Sequence, residues 1–307
     1  TTSGKLNWRV LEAKVVECAK EWFGQTAKTT PFFASVSFNG PHTPVVPPEP
    51  FDRIIPADRI QLPAESESLP AGSPRWLAEN LSGCATSSVL SPEQKMRMRQ
   101  YYYGEVAYLD SLFGEFLEWM KGRGLLENTL VVYWADHGTH LGDYGLVQKQ
   151  TFFEPVVNVP FIFSYPERLP RGARIKTPVE SQSLLPTLLD LVGVENTESH
   201  CSPSLAQALL AGSEPTSRPV FSELTLESFS PRVGHSGRLV MVREGPWKYS
   251  GCLDPEIGDD ALYNLESDPL ERVNLARTPA CESRRKAMQE LIDTHIADSA
   301  RTSGKAV

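Results

Sequence analysis

The stretch Leu130-Val131-Val132-Tyr133-Trp134-Ala135-Asp136-His137-Gly138 decides how this chain is read. Its first part combines aliphatic and aromatic residues with strong strand preference, and a short apolar run of that kind suits a buried parallel strand. The run stops at a carboxylate, an imidazole and a glycine. In open α/β sheets, ligands bind outside the carboxyl ends of the strands. Asp136 and His137 in such a place can both ligate one metal ion. Taken alone, the triplet reads first as a capping aspartate and an ordinary loop histidine. The residues around it decide between the two.

Upstream, Ser91-Pro92-Glu93-Gln94 is a helix start, with Ser91 to cap, Pro92 at the first helical position and Gln94 to complete a capping box. Val106, Leu109, Phe113, Phe116, Leu117 and Met120 then recur at helical spacing, and Gly122 and Gly124 supply a stop. Residues 31–38 read as an earlier strand that ends in Asn39-Gly40-Pro41-His42-Thr43-Pro44. Strand, helix and strand in this order predict a crossover unit with a parallel pair, which puts His42 and Asp136 on one sheet edge. Residues 10–23 form an amphipathic helix, with Val10, Leu11, Val15, Cys18, Ala19, Trp22 and Phe23 available to one broad face. Residues 43–92 are rich in Pro, Ser and Glu and read as a long surface excursion.

Downstream, residues 159–163 read as a strand and residues 184–192 as an apolar helix stopped by Gly193. After Gly212 the texture changes. Residues 238–243 and 247–249 predict a hairpin around Glu244-Gly245-Pro246, residues 261–265 a further strand, and residues 283–296 a closing helix. The expected fold class is α/β, with a main domain over residues 1–212. A smaller α+β subdomain over residues 213–307 carries a small antiparallel sheet and the closing helix.

The chain has 307 residues, 40% apolar and 22% charged, which suits a globular protein. Its net charge of −8 argues against nucleic acid as a partner. No apolar run approaches the ~20 residues of a membrane span. Cys18, Cys84, Cys201, Cys252 and Cys281 have no zinc spacing and no obvious disulfide framework. The sequon Asn80-Leu81-Ser82 is a short pattern that chance often produces, and these features do not decide the compartment. The start, Thr1-Thr2-Ser3-Gly4-Lys5, has no initiator methionine and no leader-like run, so a processed or truncated amino terminus is expected.

Four residues carry the candidate chemistry: His42, Asp136, His137 and Lys149. The first three follow expected strands, and Lys149 lies in the loop just beyond the Asp-His pair. A metal and an ammonium neutralise charge on the oxygens of a tetrahedral anion, and an imidazole serves a bridging or leaving oxygen. His140 and Asp143 lie near in sequence and are expected to be structural or rim residues.

With these residues in view, the chain resembles the sulfatase family of the alkaline phosphatase superfamily. The resemblance runs over roughly residues 10–276. It rests on Pro41-His42-Thr43-Pro44 after its strand and on Tyr102-Tyr103-Gly104-Glu105-Val106-Ala107-Tyr108-Leu109-Asp110. It continues through Gly124-Leu125-Leu126-Glu127-Asn128-Thr129 into Asp136-His137-Gly138, then Leu141-Gly142-Asp143-Tyr144-Gly145 with Lys149. Leu185-Pro186-Thr187-Leu188-Leu189-Asp190-Leu191 follows. The last part is Ala261-Leu262-Tyr263-Asn264-Leu265 with Asp268-Pro269, Glu271, Asn274 and Leu275. The resemblance implies an alkaline-phosphatase-like mixed sheet flanked by helices. It implies that Asp136 and His137 are one pair of metal ligands, for Ca2+ in most members, with Mn2+ as the other candidate because His137 brings a nitrogen. It implies that Lys149 and His42 hold the substrate sulfate, His42 beside the leaving-group oxygen, and that the substrate is a sulfated small molecule or sugar.

The family's formylglycine nucleophile and two adjacent acidic ligands belong to an amino-terminal segment with no match here, so residues 1–212 are expected to be a partial catalytic domain. A second polypeptide is the candidate source of that segment, and without it the chain is expected to be inactive and to expose an unpaired sheet edge. Cys201-Ser202-Pro203-Ser204-Leu205 nearly spells the modification motif, but Leu205 stands where arginine is required. Ser183 replaces an Asp common at the start of its helix, a change of capping. Two further readings are a phosphonate monoester or phosphodiester hydrolase of the same superfamily and a noncatalytic fold that binds anionic glycans.

Overall fold

The computed structural model describes residues 8–26, 30–63, 68–74, 77, 90–197, 202–225, 237–253 and 259–303. The chain divides into two compact units, one of residues 1–64, 88–131 and 165–167, the other of residues 65–87, 132–164 and 168–307. This division does not follow residue 212, and that boundary stays an expectation.

The first unit is built on helices α1 (Trp8–Thr26) and α2 (Pro92–Lys121). The start of α2 is the expected capping box: Gln94 N–H donates to Ser91 Oγ at 3.3 Å and Ser91 N–H to Gln94 Oε1 at 2.8 Å. Its end is held by Gly124, left-handed at φ +66°, with the Leu125 amide donating to the Met120 carbonyl at 3.1 Å. Tyr108, Leu112, Phe116 and Met120 pack with Val16 and Phe23 of α1 in one apolar cluster. Both inner faces agree with the expected ones in part, with Phe23, Leu109, Phe116 and Met120 buried. On α1 the buried side chains are Glu12, Val16 and Phe23, while Trp22 is 42% exposed. On α2 Glu105 is buried and Val106 is 41% exposed.

Two expectations are corrected in this unit. Residues 31–38 are extended but form no strand. A strand requires a ladder partner, and here Phe32, Val36 and Phe38 lay alternate side chains on the α1–α2 cluster instead. Residues 43–63 are not a loose excursion: Phe51 packs on Tyr108 with ring centres 5.3 Å apart, and Ile60 is buried. The Phe51 carbonyl lies 2.3 Å from where a Cβ on Gly104 would stand, which requires glycine in the middle of α2.

The second unit holds three small sheets. Strand β1 (Val131–Trp134) pairs with β4 (Phe161–Ser164), and β2 (His140–Leu141) pairs with β3 (Val147–Gln148). The third sheet is an antiparallel meander of β5 (Val220–Thr225), β6 (Arg238–Glu244), β7 (Trp247–Cys252) and β8 (Ala261–Asn264). The hairpin β6–β7 and strand β8 were expected; β5 was not. The expected burial of β1 is corrected, since Tyr133 and Trp134 are 39% and 46% exposed. A strand is buried on both faces only where packed layers cover both, and none among the described residues covers these two.

The meander follows the two-residue period of a strand. Leu239 and Met241 of β6 join Tyr144, Leu146, Phe152 and Phe153 in one cluster. Val240 and Val242 point the other way, onto Tyr249, Leu262 and, from helix α6 (Glu282–Ser303), Met288 and Ile292. Each such side chain contributes roughly 1.5–3 kcal/mol of burial, so the sheet is anchored on both faces. Short helix α3 (Glu154–Val157) precedes β4. Helix α4 (Leu184–Val192) ends at Gly193, left-handed at φ +76°, as expected. Ser183 makes no cap bond, and its buried Oγ has no partner. Helix α5 (Ala206–Ala211) follows Leu205, whose amide donates to Thr187 Oγ1 at 2.8 Å. Residues 68–74, the later part of the expected excursion, are tied down, with Ala71 bridging Val273. Asn80, Cys84 and Cys201 lie outside the described residues. No described helix is long and apolar enough to cross a membrane.

Candidate active site

Asp136 and His137 follow β1 directly. Asp136 Oδ1 accepts the His137 amide at 2.9 Å, so this carboxylate does cap its own turn. Oδ2 remains and lies 3.3 Å from His137 Nε2. His137 Nδ1 is 2.8 Å from the Gly138 carbonyl. A carbonyl can only accept, so the Nδ1 proton is committed there and Nε2 carries the lone pair. Lys149 Nζ, 2.6 Å away, donates to that lone pair. Carboxylate, imidazole and ammonium thus meet at one turn, with the Asp136 side chain 77% exposed and that of His137 34%.

The hairpin β2–β3 brings Lys149 back across twelve residues. His140 faces Gln148 and Leu141 faces Val147, so the antiparallel register carries the next residue toward His137. Thr139 Oγ1 donates to the Gln148 carbonyl at 3.1 Å and extends the pairing. Gly142 at φ +97°, Tyr144 at +56° and Gly145 at +71° make the turn. Asp143 organises it, accepting the Leu141 amide on Oδ2 at 2.8 Å and the Leu146 amide on its carbonyl at 2.9 Å. Lys149 itself sits between two left-handed non-glycine residues, Gln148 at φ +79° and Gln150 at +62°. Such backbone costs on the order of 1–3 kcal/mol per residue and persists where its surroundings over-determine it.

Those surroundings are the buried side of the hairpin. Tyr144 stacks on Phe153 at 4.3 Å between ring centres, within the cluster that β6 supports. His140 is 1% exposed, with Nε2 2.8 Å from Thr151 Oγ1. Burial lowers its pKa to about 4, so it is neutral at ordinary pH and structural, as expected. Gly138 is the closest backbone approach in the site. Its amide donates to the Val156 carbonyl at 2.7 Å, and a Cβ there would stand 2.1 Å from the Pro155 carbonyl. Only glycine fits between the Asp-His pair and α3.

Helix α3 is in turn held by a buried ion-pair network. Lys248 Nζ bonds Glu271 at 2.8 Å and Glu154 at 3.0 Å, and Glu271 Oε2 accepts the Glu154 amide at 2.8 Å. Arg243 approaches Glu154 at 3.5 Å. Burial pushes the Glu271 carboxyl up against the opposing pull of Lys248. Glu154, Lys248 and the steric role of Gly138 were not foreseen. Lys248 stands at a buried position of β7, opposite Tyr263.

The donor set of Asp136 and His137 suits a divalent cation, since one carboxylate oxygen and one imidazole lone pair lie within a shared shell's reach. It supplies two positions only. Among the described residues, no group of three or more His, Cys, Asp and Glu side chains could hold a metal. His42 belongs to the first unit. Its amide donates to the Asn39 carbonyl at 3.0 Å, and its Nδ1 is 2.8 Å from the Thr43 carbonyl, which leaves Nε2 on an exposed ring.

Residues 2–194 match the family described as Sulfatase, and residues 142–298 match the family described as N-sulphoglucosamine sulphohydrolase, C-terminal. The chain is 33% identical over 254 residues to a choline-sulfatase of Rhizobium meliloti (strain 1021), covering 81% of this chain and 47% of that protein. It is 28% identical over 294 residues to an arylsulfatase K of Xenopus laevis, covering 90% of this chain and 54% of that protein. The chain thus spans about half the length of these relatives. Among solved structures, one determined in complex with its substrate D-glucosamine-2-N,6-O-disulfate superposes with TM-score 0.79 at 18% identity, covering 95% of this chain and 69% of that chain. A phosphonate monoester hydrolase of Agrobacterium radiobacter superposes with TM-score 0.77 at 22% identity, covering 94% and 60%. At these identities the likeness shows the fold, an alkaline-phosphatase-like α/β arrangement.

Proposed function

We propose, from the premise that the chain belongs to the sulfatase family of the alkaline phosphatase superfamily, that it supplies part of the site of a sulfuric ester hydrolase. The observation that carries this reading is the meeting of Asp136, His137 and Lys149 behind β1. The Lys149 ammonium neutralises charge on a sulfate oxygen, and its strained, over-determined backbone keeps the geometry of that contact fixed before substrate arrives. Asp136 Oδ2 and His137 Nε2 would hold a divalent cation, Ca2+ or Mn2+, which would supply Lewis-acid charge stabilisation. His42, with its Nδ1 proton committed to Thr43, accepts a second proton at Nε2 and gives it to the leaving-group oxygen.

The formylglycine that the family resemblance implies has no Cys-x-Pro-x-Arg match in this sequence, and the near match at Cys201 lacks the arginine. The substrate class that best suits the site is a sulfated small molecule or sugar. A phosphonate monoester hydrolase is the second reading, favoured by the shared fold and by a lysine–metal cradle that suits tetrahedral phosphorus equally. Parallel turnover of an aryl sulfate and an aryl phosphonate monoester by the intact protein, metal-loaded, separates the readings. Faster sulfate hydrolysis is expected. Faster phosphonate hydrolysis would replace the first reading by the second, and no hydrolysis of either would leave a noncatalytic fold.

A further inference from the structure

Two carboxylates in the first unit are buried against Gly40, and among the described residues neither is ion-paired to a cation. Glu12 on α1 is 4% exposed and Glu105 on α2 is 8% exposed. Both abut Gly40. Glu12 Oε1 accepts the Gly40 amide at 2.8 Å, and Glu105 Oε1 lies 3.2 Å from where a Cβ on Gly40 would stand. The second oxygen of each, Oε2, is buried with no hydrogen-bond partner. The charged and titratable groups around the pair offer no neutralising charge. Lys20 on α1 is engaged with Glu115 of α2, Tyr108 is neutral with its pKa raised by burial and by these carboxylates, and Asp52 pairs with Arg53. Residues 30–40 carry no titratable side chain.

Two ionised carboxylates so placed would leave two buried charged oxygens unpaired, which is among the costliest arrangements in a protein interior. Both carboxylates abut Gly40, so a proton held on the pair leaves a single buried charge and gives one orphaned oxygen a hydrogen to donate. We infer that Glu12 and Glu105 share one proton and together act as positioning residues for His42, by clamping Gly40 at the foot of the Gly40-Pro41-His42 turn. Burial and the Glu12 charge both push the Glu105 carboxyl up, in keeping with its holding the proton. His42 then takes its place two residues on, with its amide on the Asn39 carbonyl. The part of this inference that concerns turnover rests on the proposed role of His42; the proton sharing does not.

The test uses the intact protein and two independent readouts. The first is stability against pH. A group whose folded pKa is raised holds its proton in the fold and not in the unfolded chain, so its contribution falls as pH rises. Stability of the wild type relative to Glu105→Gln is therefore expected to decline as pH rises above the ordinary carboxylate range, with one more proton released on unfolding. Equal slopes in the two proteins would overturn the shared proton. The second readout is kinetic. In Glu12→Gln the amide oxygen still accepts the Gly40 amide and the NH2 donates to Glu105, so kcat is expected within about threefold of wild type. In Glu12→Ala the clamp is lost, and kcat is expected to fall about tenfold or more with KM little changed. Equal losses in both variants would overturn the positioning role. His42→Ala is the control: unchanged turnover in it would remove His42 from the site, while the pH readout would still decide the pair.

Discussion

The rings of His42 and His137 are set by the same local device. Each commits its Nδ1 proton to the carbonyl of the next residue, Thr43 or Gly138, at 2.8 Å, and each keeps Nε2 for other chemistry. What stands behind them differs. Behind His137 is a balanced network in which Lys248 joins Glu271 and Glu154 and holds the helix that Gly138 touches. Behind His42 are two carboxylates with unpaired oxygens and no cation. One histidine also has a cation beside it at 2.6 Å, Lys149. The difference teaches that a dipeptide fixes a tautomer, whereas remote residues fix whether the ring serves a metal, an anion or a proton.

The largest expected effect breaks the balanced side of this comparison. Lys248→Met leaves Glu271 buried without its ammonium and Glu154 with Arg243 alone, and a loss of about 3–5 kcal/mol of stability is expected by urea denaturation. A smaller loss would mean that the network is hydrated, not sealed. Next comes the cation that distinguishes the two rings. Lys149→Ala in the intact enzyme is expected to lower turnover about 10²–10³-fold, as for loss of an anion-stabilising donor. His42→Ala is expected to cost about 10²-fold, as for loss of a general acid. Each variant should keep the wild-type denaturation midpoint, and wild-type turnover in either would remove that residue from the site.

The smallest effect sharpens the comparison by way of a third histidine. His140 has a folded pKa near 4, below the ordinary value of 6.5, so its contribution is complete above 6.5 and fades as pH falls toward 4. His140→Gln cannot titrate, and wild type is expected to lose about 1–3 kcal/mol relative to it across that window. Parallel stability curves for the two proteins would show that His140 does not carry this acid sensitivity.

Much of the fold was legible because its signals are local. Ser91 and Gln94 announce the start of α2, Gly124 its end and Gly193 the end of α4. The four candidate site residues were chosen through the order of their motifs, and the structure brings Asp136, His137 and Lys149 together at one turn. The inner faces of α1 and α2 were legible in part: Phe23, Leu109, Phe116 and Met120 are buried as expected, whereas Trp22 and Val106 are exposed. Both helices are apolar over a broad arc, and periodicity does not foretell that Glu12 and Glu105 go inside. Residues 31–38 have strand composition but no ladder, because pairing depends on a neighbour and composition does not.

The amino-acid order alone announced the capped start of α2, the glycine stops and the β6–β7 turn, since each follows from contacts within a few residues, and its motif order nominated His42, Asp136, His137 and Lys149. Only the tertiary structure decided that Lys149 donates to His137 and that glycine at 138 is imposed by the Pro155 carbonyl. It alone decided that Lys248 and Glu271 are buried as a pair in one unit and that Glu12 and Glu105 are buried with unpartnered oxygens in the other. Burial and approach between distant segments are properties of packing, and a carboxylate's partner cannot be read until the chain has closed around it.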